Sequence, residues 1–281
     1  MQHLLLIPLL LLQFTAVDRE FRDAQYTSCE KKLQEMLPQA EPGKEKAEVL
    51  WRLSRVTLLL GDAQPAVKSQ REFYARGLQY AEQAIAEDPR NPEAYMWHSG
   101  NIGRDCTTRS LPEQAKASGK VQKDLTIILN RLGKVNHSSA WHALAELYWR
   151  HPFKSTDAAV NYARRSSATI PADEVRLVTL MLLADILHER NWSAEKRAKE
   201  AAGNAEKFLS GKNNIEKYAC YDGTNPQLPW LKGASLTEIS DREEAAAVLR
   251  YAQARYNACK DLPPAEKPEL KNLQDRMKKY L

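Results

Sequence analysis

The chain has 281 residues, a formal net charge of +5 and 27% charged side chains. Glycine is scarce, and the residues that lose little rotamer freedom on a helix (Ala, Leu, Glu, Lys, Arg and Gln) dominate. Acidic and basic residues interleave, as along residues 195–217, which predicts solvated helix faces. A nucleic-acid surface would need basic residues clustered on one side beside stacking aromatics, so we expect no nucleic-acid partner.

The amino terminus carries the one membrane-like feature of the sequence. Residues 4–17 are almost entirely apolar and precede the first charge, Asp18. The run is shorter than the roughly 20 residues that a transmembrane helix needs, whereas Pro8 and Ala16 suit an export signal with its cleavage site. No Lys or Arg precedes the run. We predict a cleaved export signal over residues 1–16 and a periplasmic or secreted protein; an uncleaved anchor and a buried first helix remain open.

Four cysteines, Cys29, Cys106, Cys220 and Cys259, bear on the redox state of the chain. In an exported chain they allow three disulfide connectivities. Cys220 lies in an irregular segment and Cys259 near the end of a helix, so these two are the preferred pair, with four ordinary thiols as the alternative. No two cysteines have CxxC spacing, so we expect neither a zinc site nor a redox dithiol.

Hydrophobic periodicity predicts helices along nearly the whole chain. Prolines end several of them, as at residues 88–92, because proline cannot continue a helix and restricts the residue before it. Residues 104–119 are interpreted as a polar connection and residues 211–233 as an irregular loop. In chain order the predicted helices span residues 18–37, 44–60, 70–87, 92–103, 121–132, 138–150, 155–169, 173–190, 193–209, 241–260 and 264–280.

The spacing of these helices predicts a stacked solenoid. Helix pairs with a period of about 34 to 45 residues cannot bury their apolar stripes alone and do so against neighbouring pairs. The predicted organisation is an export signal (1–16), an N-terminal helix and linker (17–46), helical repeats (47–210), and an irregular loop with C-terminal helices (211–281).

One helix pair carries a recognisable repeat pattern. Its first helix has a large residue, a leucine, a small residue and an aromatic, and its second has small residues and a closing proline. These positions are Trp141, Leu144, Ala145, Tyr148, Ala159, Ala163 and Pro171. The chain resembles tetratricopeptide-repeat proteins over residues 47–209, with further units around residues 50–57, 81–95 and 180–187. The resemblance implies an α-α superhelix of about four helix pairs plus extra terminal helices. The alanines allow close approach of the helix backbones.

Two longer strings of residues carry a narrower resemblance. LWRLSR at residues 50–55 and YAEQAIAEDPRNPEAYMWHSGNIG at residues 80–103 resemble the regulator-of-microtubule-dynamics group of these proteins. We take this resemblance to support the fold. Because an export signal is predicted and the carboxyl third differs, microtubule association is not carried over.

The chain shows no motif that predicts catalysis. HExxH, a Gly-rich phosphate loop, GxSxG and the kinase motifs are absent from the sequence. His142 and Glu146 lie four residues apart on one predicted helix and could share a metal, but a surface or groove pair is the simpler interpretation. We therefore predict no enzyme activity, no cofactor and no metal.

The repeat resemblance implies a binding groove, because in such proteins the first helix of each pair lines the concave face. Its cations suit carboxylates, and its aromatic and methionine side chains suit apolar groups, which fits an extended peptide. The predicted groove residues are Trp51, Arg55, Met96, Arg104, His142, Glu146, Trp149, Arg150, Met181, Asp185 and His188.

The function expected is a non-catalytic scaffold that binds another protein or a peptide. The alternative is an exported ligand-binding accessory protein of a solute uptake system. Membrane contact is expected only through an uncleaved amino terminus.

Overall fold

The computed structural model of the protein describes residues 6–151, 154–220 and 228–281. Within these ranges it contains thirteen α-helices, a 3-10 turn, a π-helical turn and no β-strand, which confirms the predicted all-α class. Helices that are neighbours in sequence pack against each other in pairs, which is the arrangement of an α-α superhelical fold.

The chain divides into two compact units. Unit 1 runs to Asp124 and includes Pro263–Ala265; unit 2 comprises Leu125–Leu262 and Glu266–Leu281. The predicted repeat region, residues 47–210, is thus divided after Asp124. Unit 1 contains α1 (Leu6–Arg22), α2 (Tyr26–Met36), α3 (Lys44–Asp62), α4 (Val67–Glu87), α5 (Pro92–Thr107) and most of α6 (Leu111–Thr126). Unit 2 contains α7 (Ser138–Arg150), α8 (Thr156–Ala168), α9 (Leu177–Arg190), α10 (Ala194–Ser210), α11 (Asn214–Ala219), α12 (Asp241–Ala258) and α13 (Glu266–Tyr280).

Short polar residues set several helix ends. Asn91 caps α5, since its side-chain oxygen accepts hydrogen bonds from the N–H groups of Glu93 at 2.9 Å and Ala94 at 3.2 Å. Pro92 occupies the first turn, where its missing N–H is not needed. Asn191 ends α9 in a left-handed conformation with φ 54°, which asparagine tolerates better than most residues.

The first helix differs from the prediction. Instead of one helix over residues 18–37, α1 continues through Ala16 to Arg22, the chain turns at Ala24 with φ 59°, and α2 follows. Phe14 and Val17 are buried in the same core cluster as Cys29, Leu33, Val49, Leu53 and Val56. Cleavage after Ala16 would remove Phe14 from this core, so the packing favours the buried first helix among the three interpretations.

Two segments predicted as connections contain helix. In unit 1, α6 occupies most of the predicted polar connection, residues 104–119. The pattern missed it because α6 lacks an apolar stripe over its first three turns. In unit 2, α11 lies inside the predicted loop, residues 211–233, and beyond it Trp230 is buried. Residues 221–227 of that loop lie outside the described residues.

Unit 2 encloses a cluster of five buried charges. Asp241 and Glu244 at the start of α12 are fully buried. Arg197 donates to Asp241 Oδ1 and to Glu244 Oε2, both at 2.7 Å. Arg190 Nε donates to Asp241 Oδ2 at 2.8 Å, and Arg164 Nη2 donates to Glu244 Oε2 at 2.6 Å. The cluster links α8, α9, α10 and α12, whereas the sequence analysis assigned the charges of residues 195–217, Arg197 among them, to a solvated face.

The surroundings of Asp241 and Glu244 lower the pKa values of both carboxyl groups. Burial alone would raise both pKa values, but the hydrogen bonds and charges of the arginines outweigh it, so the pKa of Asp241 and that of Glu244 are lowered. A lowered folded-state pKa stabilises the fold above the unfolded-state value and ceases to do so as the pH falls through the folded-state value. The stabilisation by this cluster should therefore be lost in acid.

We expect unit 2 to lose stability as the pH falls below about 4, where carboxylates in unfolded chains become protonated. Urea unfolding followed by tryptophan fluorescence, at about pH 7 and in steps below about pH 4, measures the change. The variant Glu244→Gln should show a weaker pH dependence, because it has one titrating carboxylate fewer. An identical dependence in the variant would contradict the assignment.

Candidate functional site

An open cleft of about 550 Å³ lies in unit 2, where side chains of α7, α9 and α13 face one another. Both signs of charge and three aromatic rings line it. The lining residues are Trp149, Asp185, His188, Glu189, Asn272, Asp275, Arg276, Lys279 and Tyr280. We call this site the α13 cleft.

Contacts between α9 and α13 form one wall of the α13 cleft. Arg276 Nε donates to both carboxylate oxygens of Asp185 at 2.9 Å, and its Nη2 donates to Oδ2 at 2.8 Å. The Tyr280 hydroxyl donates to Asp185 Oδ1 at 2.8 Å. The His188 ring stacks on the Tyr280 ring, with centroids 4.0 Å apart and 11° between the planes. Asp185 is thus held by two side chains, those of Arg276 and Tyr280, and the stacked His188–Tyr280 pair forms a flat aromatic surface.

The end of α7 forms the opposite wall. The Trp149 indole N–H donates to Glu189 Oε2 at 2.7 Å, which orients the ring. The Arg150 guanidinium lies 5.6 Å from the Trp149 ring centroid and pairs with Glu146 at 2.9 Å, one turn earlier on the same helix. The side chain of Arg150 is 69% exposed and that of Glu146 is 42% exposed, so this ion pair can exchange for contacts to a partner at small cost.

The titrating groups of the α13 cleft have shifted pKa values. Burial, with the nearby cations Arg242 and Lys279, lowers the pKa of His188, so its ring is neutral near pH 7. Burial and the hydrogen bond to Asp185 raise the pKa of Tyr280 to about 12. The hydrogen bond to Asp185 also raises the pKa of Arg276. The wall therefore combines a firmly paired cation with two neutral rings.

The structure brings together only part of the predicted groove. Trp149, Asp185 and His188 line the α13 cleft. Met181, one turn before Asp185 on α9, is 3% exposed and packs in the core, so it cannot contact a partner. His142 is likewise turned inward: its Nδ1 is buried without a hydrogen-bond partner among the described residues, and burial lowers its pKa.

In unit 1, Trp51 and Arg55 belong to the interior instead of a groove. Trp51 is 6% exposed and packs with Leu50. Arg55 donates to Asp18 at 2.6 Å, and its guanidinium lies 3.7 Å from the Phe21 ring centroid. The prediction failed here because α1 covers this side of α3 with Asp18 and Phe21, two residues that follow the predicted signal.

The two other predicted residues of unit 1 lie along α5. Met96 is half-buried. Arg104 has a side chain that is 55% exposed, and its guanidinium pairs with Asp62 at 3.3 Å. Arg104 is thus available at the surface, whereas Met96 mainly packs.

Sequence reasoning missed the contribution of α13. Asp275, Arg276, Lys279 and Tyr280 follow the i, i+3, i+4 spacing that places residues on one helix face. That spacing predicts a shared face, but it does not say which helix the face meets, and this segment matched no repeat.

The preferred disulfide is not formed. All four cysteines are free thiols, and Cys29 is buried. Cys220 caps α11, which packs on α8 and α10, whereas Cys259 caps α12, which packs on α9 and α13. The two thiols therefore end helices with different neighbours.

The described residues contain neither a membrane-spanning helix nor a cluster of metal-binding side chains. None of the helices there is both long and apolar enough to cross a membrane. No three His, Cys, Asp or Glu side chains in the described ranges converge as metal ligands would.

Part of the chain matches the model of one known protein family. A family model described as regulator of microtubule dynamics protein 1-3 matches residues 16–146. The match covers unit 1 from the end of α1 onward and most of α7, and it contains both strings that carried the narrower resemblance. None of the curated proteins compared with the chain matches it significantly.

This match corrects the predicted localisation. The family is named for regulating microtubule dynamics, and microtubules are polymers inside the cell. The prediction of an exported, periplasmic or secreted protein is therefore wrong. The predicted export signal was the main reason for not carrying over the microtubule association, and that reason no longer applies. Over residues 16–146, the chain is similar to the regulator of microtubule dynamics family.

Proposed function

We propose that this chain is a non-catalytic interaction scaffold of tetratricopeptide type that takes part in regulating microtubules. The observation that carries the scaffold proposal is the α13 cleft, an open site with both signs of charge and a flat aromatic surface. The microtubule role rests on the similarity of residues 16–146 to a family of that name. The alternative, an exported accessory protein of an uptake system, is abandoned because the family match contradicts export.

The chemistry of the α13 cleft suits a polypeptide segment. Trp149 and the stacked His188–Tyr280 pair offer ring faces to apolar or planar side chains. Glu189 and Lys279 can pair with charges of either sign on the segment. Rigid aromatic residues flanked by polar groups are typical of the few positions that contribute most binding energy in protein interfaces.

The test is co-sedimentation of the purified full chain with polymerised tubulin, together with the effect of the chain on polymerisation followed by turbidity. We expect the unaltered chain to sediment with microtubules. If the α13 cleft makes the contact, the double variant Trp149→Ala/His188→Ala should weaken binding by about tenfold or more.

Leu209→Ala is the control, since this residue lies outside the cleft and is 81% exposed. It should bind as the unaltered chain does, and circular dichroism should show equal helix content for all variants. Failure of the unaltered chain to sediment or to change polymerisation would contradict the microtubule role. Unchanged binding by the double variant would instead show that the α13 cleft does not make the contact with microtubules.

A further inference from the structure

The helix α6 is unusual in having almost no packing of its own over its first three turns. From Leu111 to Lys123 no side chain is buried in the described structure, and burial begins only at Asp124. Leu111 itself is 79% exposed. Most helices in proteins are held by an apolar face packed on a core, whereas the side chains of this stretch are at most half-buried.

A row of three lysines runs along this exposed part of α6. Lys116, Lys120 and Lys123 follow i, i+4, i+7 spacing, which puts them on one face, and all three are exposed. We call them the lysine row. None of the three forms an ion pair with another described residue. The row spans about 10 Å at a rise of about 1.5 Å per residue.

The lysine row contrasts with several arginines of unit 1. Arg52 and Arg55 pair with Asp18, and Arg104 and Arg109 pair with carboxylates near them. The only acidic residue in the first three turns of α6, Glu113, accepts hydrogen bonds from Ser110 at the start of the helix. Three positive charges are therefore left without compensation within two helical turns.

We propose that the lysine row is a docking site for an acidic, extended polypeptide, the chemistry of the glutamate-rich tails that tubulin displays on microtubules. This inference rests on the proposed microtubule role, and the lysine row lies within the segment that matches the family. The spacings of about 6 Å and about 4.5 Å between successive lysines are comparable with the roughly 7 Å between alternate side chains of an extended chain.

Other occupants fit less well. A nucleic-acid surface would interleave aromatic residues with the lysines, and α6 contains none. A membrane-surface helix would carry a broad apolar face opposite its charges. In α6 the only large exposed apolar side chain is Leu111, in the first turn. Charge complementarity to a flexible acidic segment therefore remains as the best match.

The test compares microtubules that carry their acidic tails with microtubules from which subtilisin has removed them. The probe variant is Lys116→Gln/Lys120→Gln/Lys123→Gln, which removes three charges and keeps helix propensity. The matched control is Lys199→Gln/Lys207→Gln/Lys212→Gln, which changes three exposed lysines of unit 2 and gives the same net charge. A third variant with arginine at the three positions of the lysine row retains the charge.

We expect the unaltered chain to bind intact microtubules about tenfold more tightly than trimmed ones at low salt, since three exposed ion pairs act together. The glutamine variant of the lysine row should lose this difference, while the control and the arginine variant keep it. Raising the salt from about 50 to about 200 mM should reduce the difference, because the Debye length then falls below the length of the lysine row.

Three results would overturn the inference. Equal binding to intact and trimmed microtubules by the unaltered chain would do so, as would an unchanged difference in the glutamine variant. Lysine-dependent binding to vesicles of phosphatidylserine and phosphatidylcholine, without dependence on the tubulin tails, would assign the row to membranes. In each of these three results the chain can still bind the microtubule body, so the proposed function can stand. Absence of binding to both intact and trimmed microtubules would overturn the proposed function as well.

Discussion

Replacement of Glu244 by glutamine is expected to destabilise unit 2 by about 3–5 kcal/mol, the range found when one partner of a buried ion pair is removed. Glu244 is fully buried and accepts hydrogen bonds from Arg164 and Arg197. When Glu244 loses its charge, the guanidinium groups of Arg164 and Arg197 remain buried near each other with one carboxylate fewer to pair with. The Trp230 indole, which donates to Glu244 Oε1 at 3.3 Å, would also lose a charged acceptor.

Urea unfolding measures this effect as a lower midpoint at an unchanged slope. Glu206→Gln is the matched control, because Glu206 is an exposed residue of α10. It should shift the free energy of unfolding by no more than about 0.5 kcal/mol. Equal midpoints for Glu244→Gln and Glu206→Gln would refute the role of the buried cluster.

Replacement of Trp141 by alanine is expected to destabilise unit 2 by about 3–5 kcal/mol, because a large side chain leaves a cavity in a packed core. Trp141 is fully buried on α7, between the rings of Tyr162 at 5.5 Å and Tyr218 at 5.2 Å. Its indole N–H donates to the carbonyl oxygen of Val135 at 2.9 Å, and this hydrogen bond would be lost, although Arg165 also donates to the same oxygen.

A second tryptophan on the same helix provides the control. Trp149 lies in the α13 cleft, where its ring is partly exposed. Trp149→Ala should therefore cost about 1 kcal/mol or less, while weakening partner binding. Thermal unfolding followed by circular dichroism compares the two variants. If Trp141→Ala and Trp149→Ala lowered the melting temperature equally, the assignment of Trp141 to the core and Trp149 to the site would be wrong.

The helical architecture follows from local signals that the sequence contains in full. Proline, asparagine and glycine mark helix ends, and the 3.6-residue period of apolar side chains marks buried faces. The helices that start at Lys44, Pro92 and Ser138 begin where these signals predict. Trp141, Ala145 and Ala159 are buried, as the repeat spacing required. Such features depend on neighbours within about one helical turn, which is why the sequence alone reveals them.

The candidate site could be predicted only in part. Trp149, Asp185 and His188 line the α13 cleft, and the sequence placed them in a groove because the repeat resemblance puts the first helix of each pair there. Arg276 and Tyr280 were missed, since their partner Asp185 lies 91 and 95 residues away along the chain. Trp51 and Arg55 were misplaced for the same reason: Asp18 and Phe21, which contact Arg55, lie on α1, far from α3 along the chain.

By itself the sequence determined the all-α class, most helix bounds and the resemblance carried by residues 50–55 and 80–103, because each depends on local propensity and spacing. The tertiary structure decided which charges are buried, which helix closes the α13 cleft and whether the apolar amino terminus packs on the chain. These outcomes depend on contacts between residues far apart in sequence. A charged side chain such as that of Arg197 has the same local pattern whether it meets water or Asp241, and only packing distinguishes the two.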